Sequence, residues 1–227
     1  MPSQTVSTGR EIGGIRDEVA ALKRERTIEA AVELFYERGY ENTTLEAVAD
    51  RLGVTKPFIY SHFGSKTELL TEICSRGIAS ALRAIESVSG MRSRPARKLA
   101  LLGERFVTAV LESQKHIAIF NREEKNLPAE DFTRISNMRR EFDAKLASLL
   151  QEGVDAGDFK IEDVPLAALA IGGIVSWAYV WYRPDGRLTL PDLSSHMSDL
   201  ILTMVGAPAR HVRHAPAKRV RRAQPGG

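Results

Sequence analysis

From about residue 17 onward the apolar positions of this chain recur three and four residues apart. Ile28, Ala31, Val32 and Phe35 follow the i, i+3, i+4, i+7 spacing of one helix face, and Gly39 can take the positive φ at which a helix stops. The spacing predicts a first helix over roughly 17–39. Thr43 followed by Glu46, and Ser65 followed by Glu68, read as capping boxes that start two further helices. Beyond Ser65 the pattern predicts helices over roughly 66–89, 95–113, 115–124, 128–156, 163–182 and 190–205, with Pro95, Pro128 and Pro165 in first turns that tolerate a missing N–H. The stretch "DFKIEDV" is the one strand-like competitor. The run over 161–182 is interrupted by Glu162, Asp163, Pro165, Gly172 and Gly173, and reads as a buried helix rather than a membrane span, which needs about 20 mostly apolar residues. The class is all-α.

The stretch "AVADRLGVT" carries more than periodicity. Ala49 is small enough to let a second helix cross closely, Gly53 one turn later ends the helix, and Thr55 stands where it can cap the next. This is a helix-turn-helix pattern, in which the second helix lies in a major groove of double-stranded DNA. It explains why "VTKPFIYSHFGSK" gathers a proline, three aromatics, a histidine and two lysines in one short element. Thr55 can touch a phosphate, Lys56 and Pro57 occupy the exposed first turn, and Tyr60 and His62 can hydrogen-bond the DNA backbone. Lys66 begins the following helix, where its ammonium and the free N–H groups both favour a phosphate. Ile59 and Phe63 point to the core, and Phe58 is expected on the reading face, where it can press on a thymine methyl.

The segment 27–70, "TIEAAVELFYERGYENTTLEAVADRLGVTKPFIYSHFGSKTELL", resembles the DNA-binding domain of TetR-family transcriptional repressors through its Phe-x-x-x-Gly-Tyr, Thr-Thr, Ala-x-x-x-Gly-Val and Tyr-x-x-Phe-x-x-Lys elements. The resemblance implies DNA contacts from Thr44, Thr55, Lys56, Pro57, Tyr60, His62 and Lys66, a homodimer, and release from a near-palindromic operator by a small-molecule effector. Phe58 stands where many members carry a small or polar residue. The expected organisation is a flexible extension over 1–16, a helix-turn-helix domain over 17–65, a helical ligand-binding and dimerisation domain over 66–206, and a flexible basic tail over 207–227. By resemblance, the helices over 163–182 and 190–205 form the dimer's four-helix bundle.

More loosely, "IFNREEKNLPAEDFTRISNMRREF" and "SWAYVWYRPDGRLT" resemble the TetR-family repressors of fatty-acid, aromatic-acid and sterol-ring breakdown, whose inducers are often acyl-CoA thioesters. Such a ligand wants an apolar tunnel, for which Phe106, Val110, Phe120, Met138 and Phe142 are candidates, and cations for its phosphates, for which Arg122, Arg134, Arg139 and Arg140 are candidates. Trp177 serves either as a pocket wall or as packing at a core or interface. A multidrug-type member released by hydrophobic cations and a ligand-free architectural DNA-binding dimer are the alternatives.

The net charge of +3 changes this picture only when divided. Residues 1–70 hold nine Lys/Arg against eleven Asp/Glu, whereas 207–227 holds six Lys/Arg and no acid. Basicity belongs to the tail, so DNA binding must rest on where individual residues sit. The lone Cys74 excludes an internal disulfide framework and favours a cytoplasmic setting. Of the five histidines only His211 and His214 have metal-ligand spacing with a second strong donor, and no nucleophile elbow or phosphate-cradling glycine loop occurs. No catalytic residue, metal or cofactor is expected, and no membrane partner.

Overall fold

The computed structural model describes residues 8–207, with side chains from residue 17. Its regular elements are helical: α1 (Thr8–Arg38), α2 (Leu45–Leu52), α3 (Lys56–Tyr60), α4 (Lys66–Ser89), α5 (Pro95–Glu112), α6 (Gln114–Glu123), a 3-10 turn (Glu124–Asn126), α7 (Ala129–Asp155), α8 (Val164–Ser176), α9 (Ala178–Trp181) and α10 (Leu190–Met204). The expected helix starts at 66, 95 and 190 coincide with observed ones. The expected extension differs, because α1 begins at Thr8 and residues 8–16 are helical. No proline lies between Pro2 and Pro57, so every residue of α1 has a backbone N–H to offer its hydrogen-bond ladder. The rest of the extension, 1–7, and the tail from 208, with His211 and His214, lie outside the described residues.

Three local expectations change. Thr44, not Thr43, caps α2 by accepting from the Ala47 N–H at 3.1 Å. Thr43 is buried, and its hydroxyl is held by the Gly39 carbonyl at 2.9 Å and the Leu34 carbonyl at 3.3 Å. The stretch 158–164 forms no strand: the Lys160 N–H donates to the Val205 carbonyl at 2.8 Å, and the Phe159 ring fills the space beside Gly153. The apolar run over 161–182 is buried on one side only. Ala168, Ile171 and Val175 are covered, whereas Leu166, Leu169 and Trp177 are about 60% exposed. Val164–Trp181 is long and apolar enough to cross a membrane by length and composition. The Ser65–Glu68 box forms: Ser65 accepts from the Glu68 N–H at 3.0 Å, and the Glu68 carboxylate reaches back to the Gly64 N–H at 2.9 Å.

The chain divides into two compact units. The first takes residues up to Ile78 together with Ser113–Asn137. Its core sets Ile28, Leu34, Phe35, Val48, Ile59 and Phe63 against Leu69, Leu70 and Ile73 of α4 and Ile119 and Phe120 of α6. The helix-turn-helix therefore borrows the first turns of α4 and all of α6, beyond the boundary expected at residue 65. The second unit takes Ala79–Glu112 and the chain from Met138. In it α10 crosses α5 at Gly103, where an added Cβ would lie 3.0 Å from the Ser198 Cα, and the Ser198 hydroxyl donates to the Ala100 carbonyl at 2.8 Å. Buried Asp158 accepts the Ala96 N–H at 3.3 Å and pairs with Arg94, which satisfies the start of α5.

Candidate functional site

The α2–α3 hairpin is built by Gly53, whose φ of 66° turns the chain after α2 and directs its N–H back to the Ala49 and Asp50 carbonyls. The Val54 N–H returns to the Ala49 carbonyl at 3.0 Å. Ile59 and Phe63 anchor α3 in the core. Thr55, Lys56, Pro57 and Tyr60 are left exposed on one side, with Tyr60 half exposed. Thr55 stands at the N-cap of α3 and makes no side-chain cap bond. Lys56 pairs with Glu46 of α2 at 3.0 Å. That ammonium and a backbone hydrogen bond within Glu46 itself hold the Glu46 carboxyl below its usual range, the backbone bond more strongly.

Phe58 is half-buried rather than fully exposed. It packs against the core cluster, its ring lies 4.7 Å from the His62 ring at 31°, and the Lys23 ammonium stands 5.4 Å from its centroid. The His62 Nδ1 lies 2.9 Å from both the Phe58 carbonyl and the Ser61 hydroxyl, which ties the imidazole to the end of α3. Lys66 is partly buried. Its ammonium donates to the Tyr40 carbonyl at 3.0 Å, and the Tyr40 hydroxyl reaches Thr67 at 3.0 Å. The structure thus brings Thr44, Thr55, Lys56, Pro57, Phe58, Tyr60, His62 and Lys66 into one unit, around one helix-turn-helix.

Two family models cover this chain. Bacterial regulatory proteins of the tetR family match residues 28–73, and the tetracyclin repressor-like C-terminal domain matches residues 92–205. The HTH-type transcriptional repressor KstR2 of Rhodococcus jostii (strain RHA1) is 32% identical over 192 residues, which is 82% of this chain and 92% of that protein. The chain belongs to the TetR family of transcriptional regulators. Among solved structures, the TetR-family regulator PfmR from Thermus thermophilus aligns with a TM-score of 0.72 and 31% identity over 78% of this chain and 97% of that one. AibR, solved in complex with isovaleryl coenzyme A and operator DNA, shares the fold with a TM-score of 0.67 and 24% identity over 81% of this chain and 97% of that one.

In this TetR-family chain the residues proposed for the effector do not all come together. Phe106, Val110 and Phe142 are buried in the second unit, with the Phe106 and Phe142 rings 4.5 Å apart, and Met138 is partly buried on the same helix as Phe142. Arg139 and Arg140 are exposed on α7. Phe120 instead belongs to the core of the DNA-binding unit, because α6 packs there. Arg122 is committed to the end of α1, donating to the Phe35 carbonyl and, at 3.2 Å, to the Tyr36 carbonyl. Arg134 pairs with Asp131 at 3.0 Å in the same unit. Trp177 is 60% exposed at the junction of α8 and α9. Leu166, Leu169 and Trp181 are likewise exposed on α8 and α9, and α10 exposes Leu200 and Met204.

Sequence reasoning missed Asp143, which lies on α7 beside Phe142 with its carboxyl 3.8 Å from where a Gly172 Cβ would stand. Burial pushes this carboxyl up, against the pull of Arg139. It also missed Tyr40 and Glu123, whose hydrogen bond joins positions 83 residues apart, a separation that no local spacing reveals. Burial, reinforced by Glu123 and Glu124, pushes the Cys74 thiol up to about 12, which leaves it a poor nucleophile. Among the described residues no group of three or more His, Cys, Asp or Glu is placed to hold a metal ion.

Proposed function

We propose that this protein is a cytoplasmic repressor that binds a near-palindromic operator as a homodimer and leaves it when a small hydrophobic effector, an acyl-CoA thioester, binds the second unit. The observation that carries the reading is the solvent-facing set Thr55, Lys56, Pro57 and Tyr60 on a helix pinned from behind by Ile59 and Phe63. A helix so held can enter a major groove, and a two-fold dimer sets two of them about 34–36 Å apart. The apolar residues exposed on α8, α9 and α10 support the dimer, since a patch of that kind on one chain marks a protein contact. Phe106, Val110, Met138 and Phe142 are the proposed apolar lining, and Arg139 and Arg140 the proposed cations for phosphate. A surface groove of about 530 Å³ in the second unit carries Arg83 and Arg105 together with Glu104 and Glu112. AibR, a chain of the same fold solved with isovaleryl coenzyme A and operator DNA, supports the pairing of these two ligands.

Asp143 favours a second reading, release by a hydrophobic cation, because burial of its carboxyl on α7 disfavours the charged form, which a positive ligand would restore. An anisotropy release assay separates the two. Acyl-, aryl- and sterol-derived CoA thioesters are expected to free a labelled operator from the protein, with the free acids and free CoA doing so poorly. Release by cationic dyes and by no thioester, abolished in Asp143→Asn, would establish the second reading instead.

A further inference from the structure

By sequence α6 lies inside the stretch matched by the C-terminal family model, 92–205, yet it packs in the DNA-binding unit. Gly77 of α4 makes room for it: an added Cβ there would meet the Ile117 side chain at 3.0 Å. The far end of α6 holds the end of α1 and the turn into α2. Arg122 donates to the Phe35 carbonyl, which also accepts the Gly39 N–H at 3.0 Å, and to the Tyr36 carbonyl, one of those that an ending helix leaves without an intrahelical donor. Glu123, 6% exposed, accepts the Tyr40 N–H at 3.2 Å and is held by Arg122 Nε at 2.9 Å and Asn126 Nδ2 at 3.0 Å. The Tyr40 carbonyl in turn receives the Lys66 ammonium, and Thr44 caps α2 four residues after Tyr40.

We infer that Arg122 and Glu123 are positioning residues for operator binding: from α6 they fix the α1–α2 turn, and through it Thr44 and Lys66. The charge pair is suited to the task because it is directional and partly dry. Removing Arg122 leaves the buried Glu123 carboxylate without its counterpart, and removing the Glu123 charge frees the exposed Arg122 from its anchor, so the turn has one favoured position while both are present. The inference rests on the operator-binding reading above.

The test uses the full chain. Wild-type protein selects a duplex from a randomised pool, and affinities for that duplex and a scrambled one are measured between about 50 and 200 mM salt. Wild type is compared with Arg122→Ala, Arg122→Lys and Glu123→Gln, beside thermal melts. Arg122→Ala and Glu123→Gln are expected to lower operator affinity about ten-fold, a size typical of coupled sites, and to narrow the operator-to-scrambled ratio. The salt slope stays that of wild type because no phosphate contact is removed, and Arg122→Lys restores part of the loss. Wild-type operator affinity in folded Arg122→Ala and Glu123→Gln, with only a lowered melting point, overturns the inference. A slope reduced by about one in Arg122→Ala also overturns it, by making that residue a phosphate contact. If Arg122→Ala does not fold, Glu123→Gln decides, since it keeps the volume and an acceptor for the Tyr40 N–H. Failure of wild type to select any duplex sinks the operator reading itself, and the inference with it.

Discussion

The Lys66 ammonium donates to the Tyr40 carbonyl at 3.0 Å and stands 4.2 Å from the centroid of the Tyr40 ring. The lysine expected to grip a phosphate is therefore also a brace between α4 and the α1–α2 turn. Lys66→Ala is expected to weaken operator and scrambled duplex alike, to reduce the salt slope by about one, and to lower the melting temperature. Anisotropy titrations at several salt concentrations check this, and an unchanged slope with a lowered melting point would leave Lys66 as a brace only.

Phe58 packs against the core from the proposed reading helix. Because its ring rests on His62 and on the core, Phe58→Ala should relax preference at one base pair and also cost about 1–2 kcal/mol of stability, less than the loss for a fully buried phenylalanine. Operator variants changed one base pair at a time, assayed beside denaturant melts, separate the two effects. A stability loss with undiminished base preference would remove Phe58 from the reading face.

The exposed residues of α8 and α9 give a prediction about assembly. Trp177→Glu or Leu169→Glu puts a charge on the proposed dimer face, and burying that charge costs several kcal/mol. Sedimentation velocity should show a monomer with helix content close to wild type and a concentration-dependent loss of operator affinity. A variant that sediments as a dimer would place the interface elsewhere.

His116 makes the DNA-binding unit sensitive to mild acid. Burial first, then the nearby Arg76 guanidinium, push its imidazole down, against the pull of Glu25. The unfolded chain thus takes up a proton near the ordinary value of about 6.5, before the folded chain does. Stability from this residue is present above about pH 6.5 and is lost as pH falls toward the depressed folded value. Melting temperatures between pH 8 and 5 should show a decline that His116→Gln flattens. Glu25, held low chiefly by its bond to Arg76, adds a further loss only below the ordinary carboxylate range.

Gly153 is a steric requirement of the second unit. A Cβ there would lie 1.9 Å from the Phe159 ring, which is buried, so Gly153→Ala must displace that ring and should cost about 3 kcal/mol. Operator affinity measured well below the melting transition should stay near wild type, and a stable Gly153→Ala would contradict this packing.

The fold of the helix-turn-helix was legible because its information is local. Gly53, the Thr55 cap position, the anchors Ile59 and Phe63 and the Ser65–Glu68 box all act within a turn or two of one another, where periodicity and capping rules operate. The cap of α2 falls one residue later than the spacing predicts, because two threonines stand side by side and only burial decides which turns inward. The effector set was less legible. Phe120 and Arg122 share the residue types of a ligand site, and nothing near them in sequence shows that α6 folds against α1. Trp177 reads like core because the run around it is apolar on more than one side, and composition alone does not tell a buried helix from a half-exposed one.

For a repressor of the kind proposed, the Lys56–Glu46 pair bears on how the protein would search a genome. Most DNA it meets is not its operator, and a bare cation on α3 would linger on any phosphate. Here the ammonium already has a carboxylate 3.0 Å away, so a phosphate must compete for it and wins most readily where the rest of the helix also fits. On the proposed reading, this exposed pair would trade a small loss of grip on the operator for a shorter stay on irrelevant sequence.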